Sequence, residues 1–167
     1  MLKQSDTKID YPVTVLFLCT ANSCRSILAE GILKHYGKEK FISHSAGSMA
    51  SGFVHPLSIK TLADHHIEAS HLTSKSWSEF FYKSVDIVIT VCSEAEKNCP
   101  IFPGTSIKVN WSVQDPVKLI HTNEPLQEFK AVYDILYKRI TKLIELPINH
   151  LSIKETKHQL QQIATII

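Results

Sequence analysis

The sequence predicts an α/β fold: a single domain on a parallel four-stranded sheet with helices on both faces, plus a C-terminal helical extension. Three observations predict it. Short, nearly unbroken apolar runs at 13–18 (VTVLFL) and 85–91 (VDIVITV) have the pattern of strands buried on both faces. Segments with helical apolar spacing alternate with these runs, as crossover helices between parallel strands require. The length, 167 residues at 44% hydrophobic and 20% charged, suits one core of ordinary composition.

Residues 1–12 are largely polar and carry both charge signs, so they are expected to be a flexible N-terminal segment. The domain proper is expected over 13–146. After the first strand, residues 27–33 (ILAEGIL) continue a helix that stops near Gly37, a plausible C-terminal cap. A second strand is expected at 41–45, a helix with proline in its first turn at 56–65, and a short helix at 77–82. The run 85–91 is the third strand and 107–111 a weaker fourth, followed by a long helix over 126–146 that ends before Pro147. Residues 147–167 form the extension. There Ser152 and Glu155 have capping-box spacing, and Leu160, Ile163, Ala164 and Ile167 form an apolar stripe.

Charge and hydropathy exclude several classes. A net charge of +2 with no Lys/Arg run argues against nucleic acid. The run 13–18 is too short to span a bilayer and has the wrong flanks for a signal peptide, so a cytoplasmic protein with no membrane attachment is expected. In a reducing compartment cysteines serve catalysis, redox exchange or metal binding more often than structural bridging. The four here are Cys19, Cys24, Cys92 and Cys99.

Cys19-Thr20-Ala21-Asn22-Ser23-Cys24-Arg25-Ser26 joins the first strand to the first helix and places five residues between Cys19 and Arg25. Successive N–H groups of such a loop converge on an anion, and the helix N-terminus adds positive potential. Arg25 offers a bidentate fork to two anion oxygens. The same field is expected to lower the Cys19 pKa and make it nucleophilic, with the Ser26 hydroxyl bonded to the thiolate. Asn22 is one of few non-glycine types that tolerate a left-handed backbone, which a tight loop often needs. Cys24 starts the helix and is read as structural.

Cys92 and Cys99 lie six residues apart, and residues 93–98 between them are polar. Cys92 ends a buried strand, so a parallel sheet brings it to the same edge as Cys19. One nucleophilic sulfur and two on a mobile segment can pass an oxidising equivalent outward by thiol–disulfide exchange. Two unrelated free thiols, or a zinc site, are the competing readings. The zinc site fits poorly, because the spacing exceeds the usual close pairs and the loop needs Cys19 free. No metal and no cofactor are expected, and the nine histidines show no metal-ligand spacing.

With CTANSCRS at the loop, SAG at 45–47, VITVCSEAEKNCP at 88–100 and WSVQDP at 111–116, the chain resembles the low-molecular-weight protein tyrosine phosphatase superfamily. Within it, the Cys92/Cys99 pair resembles that of the thioredoxin-coupled arsenate reductases. The resemblance implies that the Cys19 thiolate attacks arsenate and that Asp115 protonates the leaving oxygen. Arg25 and the backbone of residues 20–26 stabilise the developing charge. It implies further that Cys92 attacks Cys19 and releases arsenite, and that Cys99 then attacks Cys92. Thioredoxin reduces the final disulfide, with glutaredoxin and glutathione as the alternative. Phosphate and sulfate are expected competitors. Some relatives hold potassium near the loop through Asn, Glu, Ser and Asp. Asn22, Glu30 and Ser45 match, but Lys75 stands where the Asp would be, so Lys75 is expected to replace the ion. Hydrolysis of aryl phosphates is the alternative activity, and a non-catalytic oxyanion-binding or redox-sensing module is a third reading.

Overall fold

The computed structural model describes residues 8–119, 121 and 123–167. Four strands, β1 (Val13–Cys19), β2 (Phe41–Gly47), β3 (Ile87–Thr90) and β4 (Ile107–Asn110), pair in the order β2-β1-β3-β4, all parallel. The central strands are buried almost throughout, as their unbroken apolar runs require. The register sets Cys19 beside Gly47 and Leu18 beside Thr90, so the ends of β1, β2 and β3 share one edge of the sheet.

Helix α1 (Arg25–Gly37) is buried from Ser26 to Leu33, and packs against β1, β2, α2 (Pro56–Asp64) and the long α4 (Pro125–Glu145). Only the last turn of α1, at Lys34, His35 and Tyr36, is exposed. Gly37 is the last residue of α1, where the sequence placed its end. The positive φ falls on Lys38, at 50°, while Gly37 makes room for Phe41, whose ring would lie 3.0 Å from an added Cβ. The expected helix at 77–82 is a single 3-10 turn, Trp77–Phe80. Residues 93–98, read from their polarity as a mobile stretch, form the short helix α3 (Ser93–Asn98), held by the buried Ala95.

Of the expected flexible N-terminal segment, residues 1–7 lie outside the described residues. Ile9 is buried, and the Tyr11 hydroxyl donates to the Leu146 carbonyl. The C-terminal helix α5 (Ile153–Ile163) docks on β4 and α4, burying Leu160 and Ile163 in the core, whereas Ile167 is exposed and takes no part in the stripe. Its capping box is complete: the Ser152 hydroxyl accepts from the Glu155 N–H, and the Glu155 carboxylate from the Ser152 N–H. Ser152→Ala is expected to cost about 1 kcal/mol, a fall of roughly 2–4 °C in Tm by thermal melting. No change in Tm would show that α5 is held by packing alone.

Candidate active site

The loop from Cys19 to Arg25 is shaped from outside. Its carbonyls are bonded to the segment that follows β2: Cys19 O accepts from Ser48 N at 3.2 Å, Thr20 O from Met49 N at 2.9 Å, Ala21 O from Ser51 N at 2.9 Å and Ser23 O from His55 N at 3.1 Å. Side chains add to this, with the Ser74 hydroxyl donating to Ala21 O and that of Ser58 to Ser23 O. Turning the carbonyls outward leaves the amides for the concave side, the arrangement that binds anions. Gly47 permits the close approach, since a Cβ there would fall 2.4 Å from Thr20 O. Asn22 takes the left-handed conformation its residue type allows, with φ 48°.

Cys19 is 2% exposed. Its Sγ lies 2.8 Å from Ser26 Oγ and accepts from the Asn22 N–H at 3.2 Å. Burial pushes the thiol up from its ordinary value; Ser26, the Arg25 charge and the Asn22 amide pull it down, and burial wins. This corrects the expectation of a lowered pKa. The physical reason is that the sulfur is cut off from water. One guanidinium nitrogen of Arg25 is 3.2 Å from Asp115 Oδ2. Asp115 is fixed in turn by the Val117 N–H on its other oxygen, 3.1 Å away.

These groups enclose a cavity of about 110 Å³, lined by Cys19, Ala21, Ser23, Cys24, Arg25, Asp115 and Val117. It admits a small tetrahedral anion, with the sulfur at its floor and the Arg25 and Asp115 side chains at its wall. Thr20 and the buried Asn22 and Ser26 complete the loop.

Behind the loop runs a polar chain. Asn22 Nδ2 donates to Ser26 Oγ at 2.8 Å and to Ser45 Oγ at 2.9 Å, and Ser45 donates to Glu30 Oε2 at 2.6 Å. The ammonium of Lys75 stands 3.8 Å from the same Glu30 oxygen. Burial pushes the Glu30 carboxyl up, against the pull of Lys75 and Ser45. The chain thus begins at a lysine and ends at the Cys19 sulfur.

The other cysteines are placed unequally. Cys92 is buried, its Sγ 3.6 Å from the Thr20 hydroxyl in the wall of the loop, and it caps α3 by accepting from the Ala95 N–H at 3.4 Å. Cys99 stands beyond the far end of α3, half-buried beside Val88, Pro100 and Lys108 in a separate cavity of about 160 Å³. Cys24 is buried at the N-cap of α1. Cys19, Arg25 and Asp115 therefore line one cavity, Cys92 reaches the loop at Thr20, and Cys99 lies in a separate cavity. Sequence reasoning missed Ser58 and Ser74, whose hydroxyls hold loop carbonyls. Neither belongs to a motif; only the fold brings them there. Among the described residues no group of three His, Cys, Asp or Glu side chains could hold a metal, and no helix is long and apolar enough to cross a membrane.

A thiol, an arginine and a carboxylic acid around an amide-lined anion loop define a phosphatase-type nucleophilic site. The chain belongs to the low molecular weight phosphotyrosine protein phosphatase family, whose profile it matches over residues 14–159. It is 36% identical over 132 residues to an arsenate reductase of Halalkalibacterium halodurans, covering 78% of this chain and 94% of that one. Among solved structures it is similar to an arsenate reductase in the phosphate-binding state, with TM-score 0.69, 31% identity and coverage of 79% and 96% of the two chains. It is similar also to a thioredoxin-dependent arsenate reductase of Corynebacterium glutamicum, with TM-score 0.57, 28% identity and coverage of 77% and 62%.

Burial raises the Cys24 thiol from its ordinary 9.0 to about 11. The unfolded chain binds less proton than the fold between these values, so the stability contributed by this group is complete below pH 9 and is lost as pH rises through about 11. Urea unfolding across that window is expected to show a decline that is shallower in Cys24→Ala. Equal slopes would contradict the assignment.

Proposed function

We propose that this chain is an arsenate reductase working in the cytoplasm, with Cys19 as nucleophile and Cys92 and Cys99 as the relay that carries the oxidation to a thioredoxin. The observation that carries the reading is the Cys92 sulfur in the wall of the anion loop, with a second cysteine one helix away. Hydrolysis of a phosphate ester has no use for either.

Arsenate enters the cavity as a tetrahedral anion and takes the Arg25 fork and the loop amides as donors. Arg25 thereby turns from Asp115 to the anion, and Asp115 is freed to protonate the oxygen that leaves as water. The Cys19 thiolate forms the S–As bond. Ser26 and the Asn22 amide hold that thiolate at its moment of need, against the cost of burial. Cys92, as thiolate, then attacks the Cys19 sulfur. The S–As bond breaks with its electron pair on arsenic, which leaves as arsenite, and a Cys19–Cys92 disulfide remains. Cys99 next attacks Cys92 and releases the Cys19 thiolate. Two thiols of the reductant become a disulfide as Cys92 and Cys99 are restored.

The last transfer requires α3 to come apart. The seven steps from Cys92 to Cys99, at the helical rise, set them about 10 Å apart along the axis, whereas a disulfide needs Cα atoms within roughly 7 Å. The helix is six residues long and buries only Ala95, so little holds it. Reaction of Cys92 also removes the sulfur that caps it. Unwinding would carry Cys99 toward Cys92 and bring the new disulfide to the surface, where a reductant reaches it.

Cys92→Ser is expected to abolish multiple-turnover arsenate reduction and to leave the weak aryl phosphate cleavage of the Cys19 loop within about twofold. Loss of both together, or of neither, would contradict the relay. Wild type is expected to turn over with thioredoxin and to be slow with glutathione plus glutaredoxin; the reverse would assign the other reductant. Lys75 fills the place of a cation beside Glu30, so the reduction rate is expected to be equal in potassium and sodium salts. A several-fold gain in potassium would remove that role from Lys75.

A further inference from the structure

Arg139, midway along α4, is 3% exposed, yet among the described residues no carboxylate lies within 4.0 Å of it. A buried guanidinium is costly unless its donors are met. Here main-chain carbonyls meet them. Nη1 donates to Trp111 O at 2.7 Å and, at 3.5 Å, to Ser112 O, and Nε donates to Ile166 O at 3.0 Å. One side chain thus joins the chain's last residues to the start of the segment that ends in Asp115.

The same two regions meet a second time. The indole N–H of the fully buried Trp111 donates to Leu160 O at 2.9 Å. From the sheet side, Trp111 N donates to Thr90 O at 2.7 Å and Val113 N to Val91 O at 3.2 Å. The segment 111–113 is therefore clamped between β3 and the extension, and Asp115 follows two residues later. Leu160 and Ile166 both lie past residue 159, where the family match ends.

We propose that Arg139 and the C-terminal extension form a strap that positions the Asp115 carboxyl over the anion loop. Arg139 is a positioning residue: it touches neither anion nor sulfur and acts through the backbone of 111–113. The inference rests on Asp115 being the proton donor of the proposed reaction. Its effect belongs on kcat rather than on KM, because Arg25 and the loop amides hold the anion without it.

The test is arsenate reduction by three full-length or near full-length proteins: Arg139→Met, Trp111→Phe, and a chain stopped at Ile163. Each is combined with Asp115→Asn, with Lys157→Ala on the exposed side of α5 as control. Each strap variant is expected to lower kcat about tenfold with KM unchanged, and to add nothing once Asp115 is Asn. If Arg139→Met fails to fold by thermal melting, the Trp111→Phe and shortened proteins carry the same comparison. Equal fold-losses with and without the Asp115 carboxyl would overturn the strap, as would unchanged kcat in the soluble variants. An unimpaired Asp115→Asn enzyme would instead overturn the proton-donor assignment, and the strap with it.

Discussion

The site depends on which way a few carbonyls point. A loop that wraps an anion must turn its N–H groups inward, and each carbonyl turned outward must find a donor or lose free energy. The segment after β2 supplies those donors at Cys19, Thr20, Ala21 and Ser23. This explains why the edge strand β2 and its terminal Gly47 matter to a cysteine on another strand. It also explains why the polar chain behind the loop is fully paired: Asn22, whose backbone makes the sharp turn, is tied by its amide to Ser26, Ser45 and the Lys75 N–H.

Two opposing electrostatic demands meet at Cys19. Burial shields the sulfur from adventitious oxidants and holds its proton, while the loop is built to favour charge. Arg25 moderates between them. It stands paired with Asp115 in the structure, and in the proposed reaction it turns to the oxyanion and places its charge where the reaction develops it. The lysine at the far end of the polar chain places a positive charge beside the buried Glu30.

Much of this was legible in the sequence because it is local. The unbroken apolar strands, the anion loop, the left-handed Asn22 and the Ser152–Glu155 capping box are each set by residues within a few positions of one another. Long-range features were not legible. The Cys19 thiol is raised rather than lowered because the fold buries it, which outweighs the pull of Ser26, Arg25 and Asn22. Polarity marked 93–98 as exposed but not as helical, because one buried alanine and a sulfur cap decide that. Gly37 ends α1 as read, but what it is small for is the Phe41 ring, a contact the sequence does not show. Ser58, Ser74 and Arg139 bond to main-chain atoms, which leave no residue pattern to read.

The relay asks most of the structure, since its three sulfurs begin in different surroundings: one at the floor of the loop, one in its wall and one past the end of a helix. The first transfer is the step on which the account stands. Cys99→Ser halts the relay after that step, so treating this variant with arsenate and mapping its peptides by mass spectrometry under non-reducing conditions isolates it. The account predicts a Cys19–Cys92 disulfide formed with one arsenite released per chain. Arsenite released with Cys92 still a free thiol, or no arsenite at all from a folded protein, would contradict it.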